Sequence, residues 1–305
     1  MQAFTLFFKQ VKIQSIAMPH SKYSEKSKVI KSFRVQFFEV LASIIFIFLS
    51  KIIRYRKDVI HKNLKNSFPE ISEQKEAELV NSYYRHLSDL IVEPFLINNL
   101  KEKDINNIVE YENIHLLTKL HRSGKDVLLL ASHYGNWEYL LTLPLVTDYE
   151  VLAVYSQISN SIINRYMESL RSRFGVRLVK KSDWYRTVLN ETRERPKMYV
   201  MIADQRPIFP FKNSVHFLGQ KTYVQSGCER ISEKLKCAVV YADTEKVARH
   251  KYRFKFLLMG ENNITKKPRV VLEEYYRLLE KTIVRNPSDW LWSHERWKNH
   301  KPKSR

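Results

Sequence analysis

Short apolar runs alternate with amphipathic stretches through most of this chain, and that rhythm restricts its fold more than any other feature. The runs VLLLA (Val127–Ala131), VLAVYS (151–156), VRLVK (176–180), KMYVMIADQ (197–205), AVVYADTEK (238–246) and YRFKFLLMG (252–260) have strand length. Between them lie helical patterns such as SIINRYMESLRSRFG (161–175), closed by Gly175, and KKPRVVLEEYYRLLEKTIVRNP (266–287). Further helices are expected from Asp183 and over 223–235. Alternation of this kind predicts an α/β fold: a central, mostly parallel sheet flanked by helices.

Upstream, FPEIS (68–72) is a break. Pro69 stops one helix and Ser72 starts the next, in which Ala77, Val80, Tyr84, Leu87 and Ile91 recur at helical spacing. Earlier still, VQFFEVLASIIFIFLSKII (35–53) has an uncharged stretch of only eleven residues, Val40–Ser50, with basic residues on both sides. A clean span needs about twenty apolar residues. The segment is therefore expected to be a membrane-anchor helix, crossing the bilayer or lying in one leaflet. Its basic flanks suit an anionic lipid surface. The expected organisation is a basic segment (1–34), an anchor (35–53) and one catalytic domain (54–305).

Net charge is +20 at pH 7, which favours a negatively charged partner: nucleic acid, an anionic membrane or an acidic protein. No recognisable nucleic-acid-binding motif is present, and an apolar anchor argues against that class. Cys228 and Cys237 form no CxxC pair, so two reduced structural thiols are expected.

The run ASHYGNWEYL (131–140) follows the most apolar strand. His133 is placed two residues past that strand, on the carboxyl edge where sheets of this class collect active groups. Gly135 and Asn136 make the turn, and Glu138 falls in the first turn of the next helix. A carboxylate beside an imidazole fixes its tautomer and stabilises the imidazolium formed when it takes a proton. A histidine closing a strand and a glutamate favoured at a helix start read equally well on local spacing alone. Metal binding fits poorly, because H-E-x-x-H spacing is missing. A covalent nucleophile lacks a G-x-S-x-G elbow.

HYGNWE (133–138) resembles the H-x4-D/E motif of glycerolipid acyltransferases, and more narrowly the form found in bacterial late lipid A acyltransferases. YRKDVIHKNLKNSFPEIS, VYSQISNSIINRYMESLRSRFG, ADQRP (203–207), VHFLGQKT and WLWSHERWK resemble further blocks of that family, in order, from about Val35 to Lys298. The resemblance implies transfer of a fatty acyl chain from acyl carrier protein, or coenzyme A, to a hydroxyl of a lipid A precursor. It needs no cofactor and no metal, and takes place at the cytoplasmic face of the inner membrane. His133 would be the general base and Glu138 its orienting partner. Asn136 would hold the oxyanion, Arg171 and Arg173 would meet phosphate, and Asp204, Gln205 and Arg206 would meet the acceptor. Trp290, Trp292 and Trp297 would sit at headgroup level or pack the terminal segment. Relatives with this motif acylate other lipids, so a phospholipid or aminolipid acceptor stays open. So does a non-enzymatic basic protein binding nucleic acid or membrane.

Overall fold

The computed structural model describes residues 33–192, 194–207, 213–260 and 270–298. All but the last two residues of the basic segment 1–34 lie outside the described residues. The fold is α/β, with a seven-stranded, mostly parallel sheet ordered β1-β9-β8-β2-β5-β3-β4. Its strands are β1 (Val109–Glu112), β2 (Val127–Ala131), β3 (Glu150–Tyr155), β4 (Arg177–Lys180), β5 (Lys197–Ile202), β8 (Ala238–Ala248) and β9 (Lys251–Gly260). Only the β8–β9 pair is antiparallel. A separate hairpin is made by β6 (Asn213–Phe217) and β7 (Gln220–Val224). It takes up the first two residues of the helix expected over 223–235, which runs instead as α7 (Gly227–Leu235).

The other helices are α1 (Phe33–Ile47), α2 (Lys57–Ser67), α3 (Glu73–Asn98), α4 (Ile114–Arg122), α5 (Ser161–Ser172), α6 (Trp184–Asn190) and α8 (Val270–Arg285). Pro69 and Ser72 act as expected. α2 ends at Ser67, and the Ser72 hydroxyl accepts from the Lys75 N–H at 3.3 Å to start α3.

β2 lies at the centre of the sheet and all five of its residues are buried. Its side chains alternate between two hydrophobic cores, one on each face: Leu128 and Leu130 on one side, Val127, Leu129 and Ala131 on the other. A strand enclosed on both faces has no solvent side to make polar, which explains its uninterrupted apolar sequence.

α1 continues through a π-helical turn, Phe48–Ile52, and together they form the one described helix long and apolar enough to cross a membrane, Val35–Ile52. The helix packs along α3, with Ala42 buried at the contact. The two run antiparallel: the Arg249 guanidinium bridges the Glu39 carbonyl and Asp89, Arg85 lies over the Phe46 ring, and the Tyr84 hydroxyl donates to the Tyr55 carbonyl.

Candidate active site

The site is assembled by sheet register. β2 and β5 are adjacent and parallel, with Ala131 opposite Ile202. Two residues past each strand end therefore stand side by side, and they are His133 and Asp204. The His133 Nδ1–H donates to Asp204 Oδ1 at 2.6 Å, and the His133 backbone N–H donates to Oδ2 at 3.0 Å. A carboxylate only accepts, so this contact puts the ring proton on Nδ1 and leaves a lone pair on Nε2. The Gln205 amide lies 3.1 Å from Nε2.

Asp204 is almost fully buried. Burial alone would raise its pKa. Electrostatic attraction to the His133 ring, the hydrogen bonds from that ring and from the His133 backbone N–H, and the Trp290 indole N–H, 2.9 Å away, outweigh that and hold it at about 2. The site floor is closed by α8, whose Tyr275 and Tyr276 hydroxyls donate to the carbonyls of Ala131 and Ala203.

The carboxylate expected to orient His133 is elsewhere occupied. Glu138 opens a 3₁₀ helix (Trp137–Leu145) and receives two hydrogen bonds from Arg171 at the end of α5, one of them at 2.8 Å. Asp204 instead holds the imidazole, because the strands bring it to Nδ1 while the turn at Gly135 carries Glu138 to α5. Trp137 packs edge-on to the His133 ring, centroids 4.5 Å apart.

Asn136 is also placed differently from expectation. It is buried, its Nδ2 donates to Glu93 at 2.6 Å, and its Oδ1 accepts from the Glu138 N–H at 2.9 Å. The Oδ1 and one Nδ2–H are engaged in shaping the turn, so the amide faces Glu93 and its own loop. Glu93 also accepts from Tyr252 and contacts His250. Asp89, Glu93 and His250 converge closely enough to suggest a metal site, yet Lys246 and Arg249 already neutralise Asp89. The cluster is a buried ion-pair network behind the loop.

Gly135 has a φ of +60°, and a Cβ there would lie 2.8 Å from Thr244 Cγ2. Its N–H donates to the Asp289 carbonyl, and the Leu291 N–H donates to the His133 carbonyl. The C-terminal segment thus runs as a clamp beside the His133 loop. Trp290 and Trp292 are buried in this clamp, and so belong to packing rather than to a headgroup layer.

Arg173 donates to the carbonyls of Ile97, Asn98 and Leu100, capping the C-terminal end of α3. With its guanidinium committed to backbone, phosphate recognition has no support at this position. Arg171 is likewise paired, and Arg206 donates to the Lys298 carbonyl at 3.1 Å. Gln205 lines the cavity described next.

His133, Glu138, Arg171 and Gln205 border a cavity of about 430 Å³. Much of its lining is apolar, including Leu140, Leu141, Val151, Ala153, Val200 and Ile202. An apolar-lined cavity bordered by an imidazole is suited to a hydrocarbon tail whose reactive end meets a base.

The sequence model of one family, described as bacterial lipid A biosynthesis acyltransferase, matches residues 27–299. The chain belongs to this family. That membership makes it an acyltransferase of lipid A biosynthesis in general terms, acting on a lipid with an acyl donor, and family members are membrane-associated. No curated protein matches the chain.

Proposed function

We propose that the protein moves a fatty acyl chain from a thioester on acyl carrier protein to a hydroxyl of a lipid A precursor, at the cytoplasmic face of the inner membrane. The observation that carries this reading is the His133–Asp204 pair, whose imidazole borders the apolar-lined cavity. The acyl chain fills the cavity and brings its thioester carbonyl to the imidazole. His133 Nε2 takes the proton from the acceptor hydroxyl as the C–O bond forms. Gln205 stands where that hydroxyl would donate. The C–S bond then breaks, and the departing thiolate recovers the proton from the imidazolium. Asp204 keeps the tautomer correct and balances the transient charge. Arg171, held by Glu138 at the cavity wall, stabilises the developing oxyanion. A thioester already carries a good leaving group, so the proposal invokes no covalent enzyme intermediate.

The charge of +20 supports an acidic carrier protein as donor, since steering by opposite charge raises encounter rates and weakens with salt. Steady-state assays with acyl carrier protein and coenzyme A thioesters should show the carrier's advantage in kcat/KM shrinking as ionic strength rises. A preference for coenzyme A at all salt concentrations would overturn that donor. Mass spectrometry of total lipids from cells lacking and regaining the gene tests the acceptor. Acylation lost and restored on a phospholipid or aminolipid, with lipid A unchanged, would replace the lipid A precursor.

A further inference from the structure

The cavity opens where Ser156, Lys181 and Tyr185 are both lining and solvent-exposed. All three follow the carboxyl ends of β3 and β4. The surface around that mouth is unusually apolar for a charged protein. Ile158 lies two residues from Ser156, and the first turn of α5 presents Ile162 at 72% and Ile163 at 51% exposure. One turn further along α5, Tyr166 stacks on Phe95 of α3 with ring centroids 5.0 Å apart. Phe95 and Ile91 are themselves more than 40% exposed, four residues apart on one ridge of α3. Along the same helix lies α1, whose exposed residues Phe37, Val40, Ile44, Ile47 and Phe48 recur at helical spacing. Exposed apolar side chains therefore follow one another from α1, over α3, to the edge of the cavity.

α1 is bound to the domain along its length, from Glu39 at one end to the residues after Ile53 at the other. Standing it upright in a bilayer would carry α3 with it, together with Asp89, Glu93 and the arginine and lysine paired to Asp89. Lying flat, it buries only its outward apolar stripe and leaves those charges outside. Exposed basic residues flank the apolar surface at both ends: Lys51, Arg54 and Lys57 after α1, and Arg165, Lys180 and Lys181 beside the mouth. Such a rim fits anionic headgroups.

We propose that α1, the Ile91–Phe95 ridge of α3 and the Ile158–Ile163 turn form one docking face for an anionic lipid leaflet, on which α1 lies in plane and the cavity opens directly onto lipid. This rests on the reading of the cavity as an acyl-chain site only for its purpose; the docking itself is read independently of acyl transfer. A membrane-resident acceptor then reaches His133 without leaving the leaflet.

The test uses the full chain with an environment-sensitive fluorophore on Ile162→Cys, and a control on Glu194→Cys, exposed before the amino end of β5. Cys228 and Cys237 are buried, with burial pushing both thiols up to about 12, so they stay unlabelled. With phosphatidylglycerol-containing vesicles, the label at 162 should shift to the blue and be quenched by bilayer-resident quenchers, while the label at 194 should not change. Separately, Ile162→Ser with Ile163→Ser should lower vesicle affinity about tenfold with α1 intact. A label at 162 that stays in water while the protein floats with vesicles would overturn the proposal. Unchanged affinity in the double variant would do the same. A blue shift that appears without vesicles and grows with protein concentration would assign the face to a second copy instead. None of these readouts involves an acyl donor, so failure of acyl transfer leaves them unaffected.

Discussion

His133 and Asp204 occupy equivalent positions two residues beyond the paired ends of neighbouring parallel strands, with Nδ1 and Oδ1 2.6 Å apart. Asp204→Asn keeps the shape but removes the acceptor charge and permits the wrong tautomer. The expected result is a loss of roughly 10³- to 10⁴-fold in kcat with little change in KM. Steady-state kinetics on the purified variant checks it. A loss below tenfold would mean that Asp204 does not orient the base.

Glu138→Gln should behave differently. It breaks the two-point contact with Arg171 at the cavity wall while leaving the His133–Asp204 pair intact. Arg171→Gln should therefore cost more than Glu138→Gln, since it also removes the charge facing the oxyanion, and the double variant should cost about as much as Arg171→Gln alone, because Glu138 acts through Arg171. Additive losses in a double-mutant cycle would show that the two residues act separately.

Stability should fall in acid for a reason traceable to Asp204. Its carboxyl is held at about 2, below its ordinary 3.8, so the native state binds this proton less readily than the unfolded chain. The stabilisation is fully present above about pH 4 and is lost as pH falls toward 2, amounting to about 2 kcal/mol. Urea unfolding at several pH values should show this increment in the wild type and its absence in Asp204→Asn. The carboxylate stays charged through the neutral range, so no activity change between about pH 5 and 8 should arise from Asp204.

The backbone of the motif was legible in the sequence; the partnership of its side chains was not. A buried strand ending in His133, a turn at Gly135 and a carboxyl-edge position for Asp204 all follow from local pattern. Which carboxylate meets the imidazole depends on β2 lying beside β5, and strand order is a property of the whole sheet. Glu138 was the nearer candidate along the chain, five residues away against 71, and the sheet reverses that ranking. The same holds for Trp290, whose indole reaches Asp204 from 86 residues away, and for Arg173, whose charge gives no sign that backbone carbonyls will claim it. α1 was visible as an apolar segment, but its packing on α3 depends on a neighbour that composition does not name.

Gly135→Ala should destabilise the fold by roughly 2–4 kcal/mol, combining a positive φ with a Cβ forced against Thr244 and Tyr252. Thermal unfolding checks it. Pairing the variant with Thr244→Ser should recover part of the loss, since the nearest clash is with the Thr244 methyl.

Ala153 faces the cavity from β3. Ala153→Leu should shorten the space for a hydrocarbon chain and shift preference toward shorter donors. For the longest donor used by the wild type, about a tenfold drop in kcat/KM is expected, from a penalty of about 0.8 kcal/mol for each methylene left unburied. An unchanged donor profile would place the acyl chain elsewhere.

Acyl transfer as proposed depends on His133 as the base that activates the acceptor hydroxyl. The most direct measurement is turnover of purified His133→Ala with acyl carrier protein thioester and a lipid A precursor in detergent, alongside its unfolding curve. Turnover should fall to background, with an unfolding midpoint close to wild type. Turnover near the wild-type rate in a folded His133→Ala protein would contradict it.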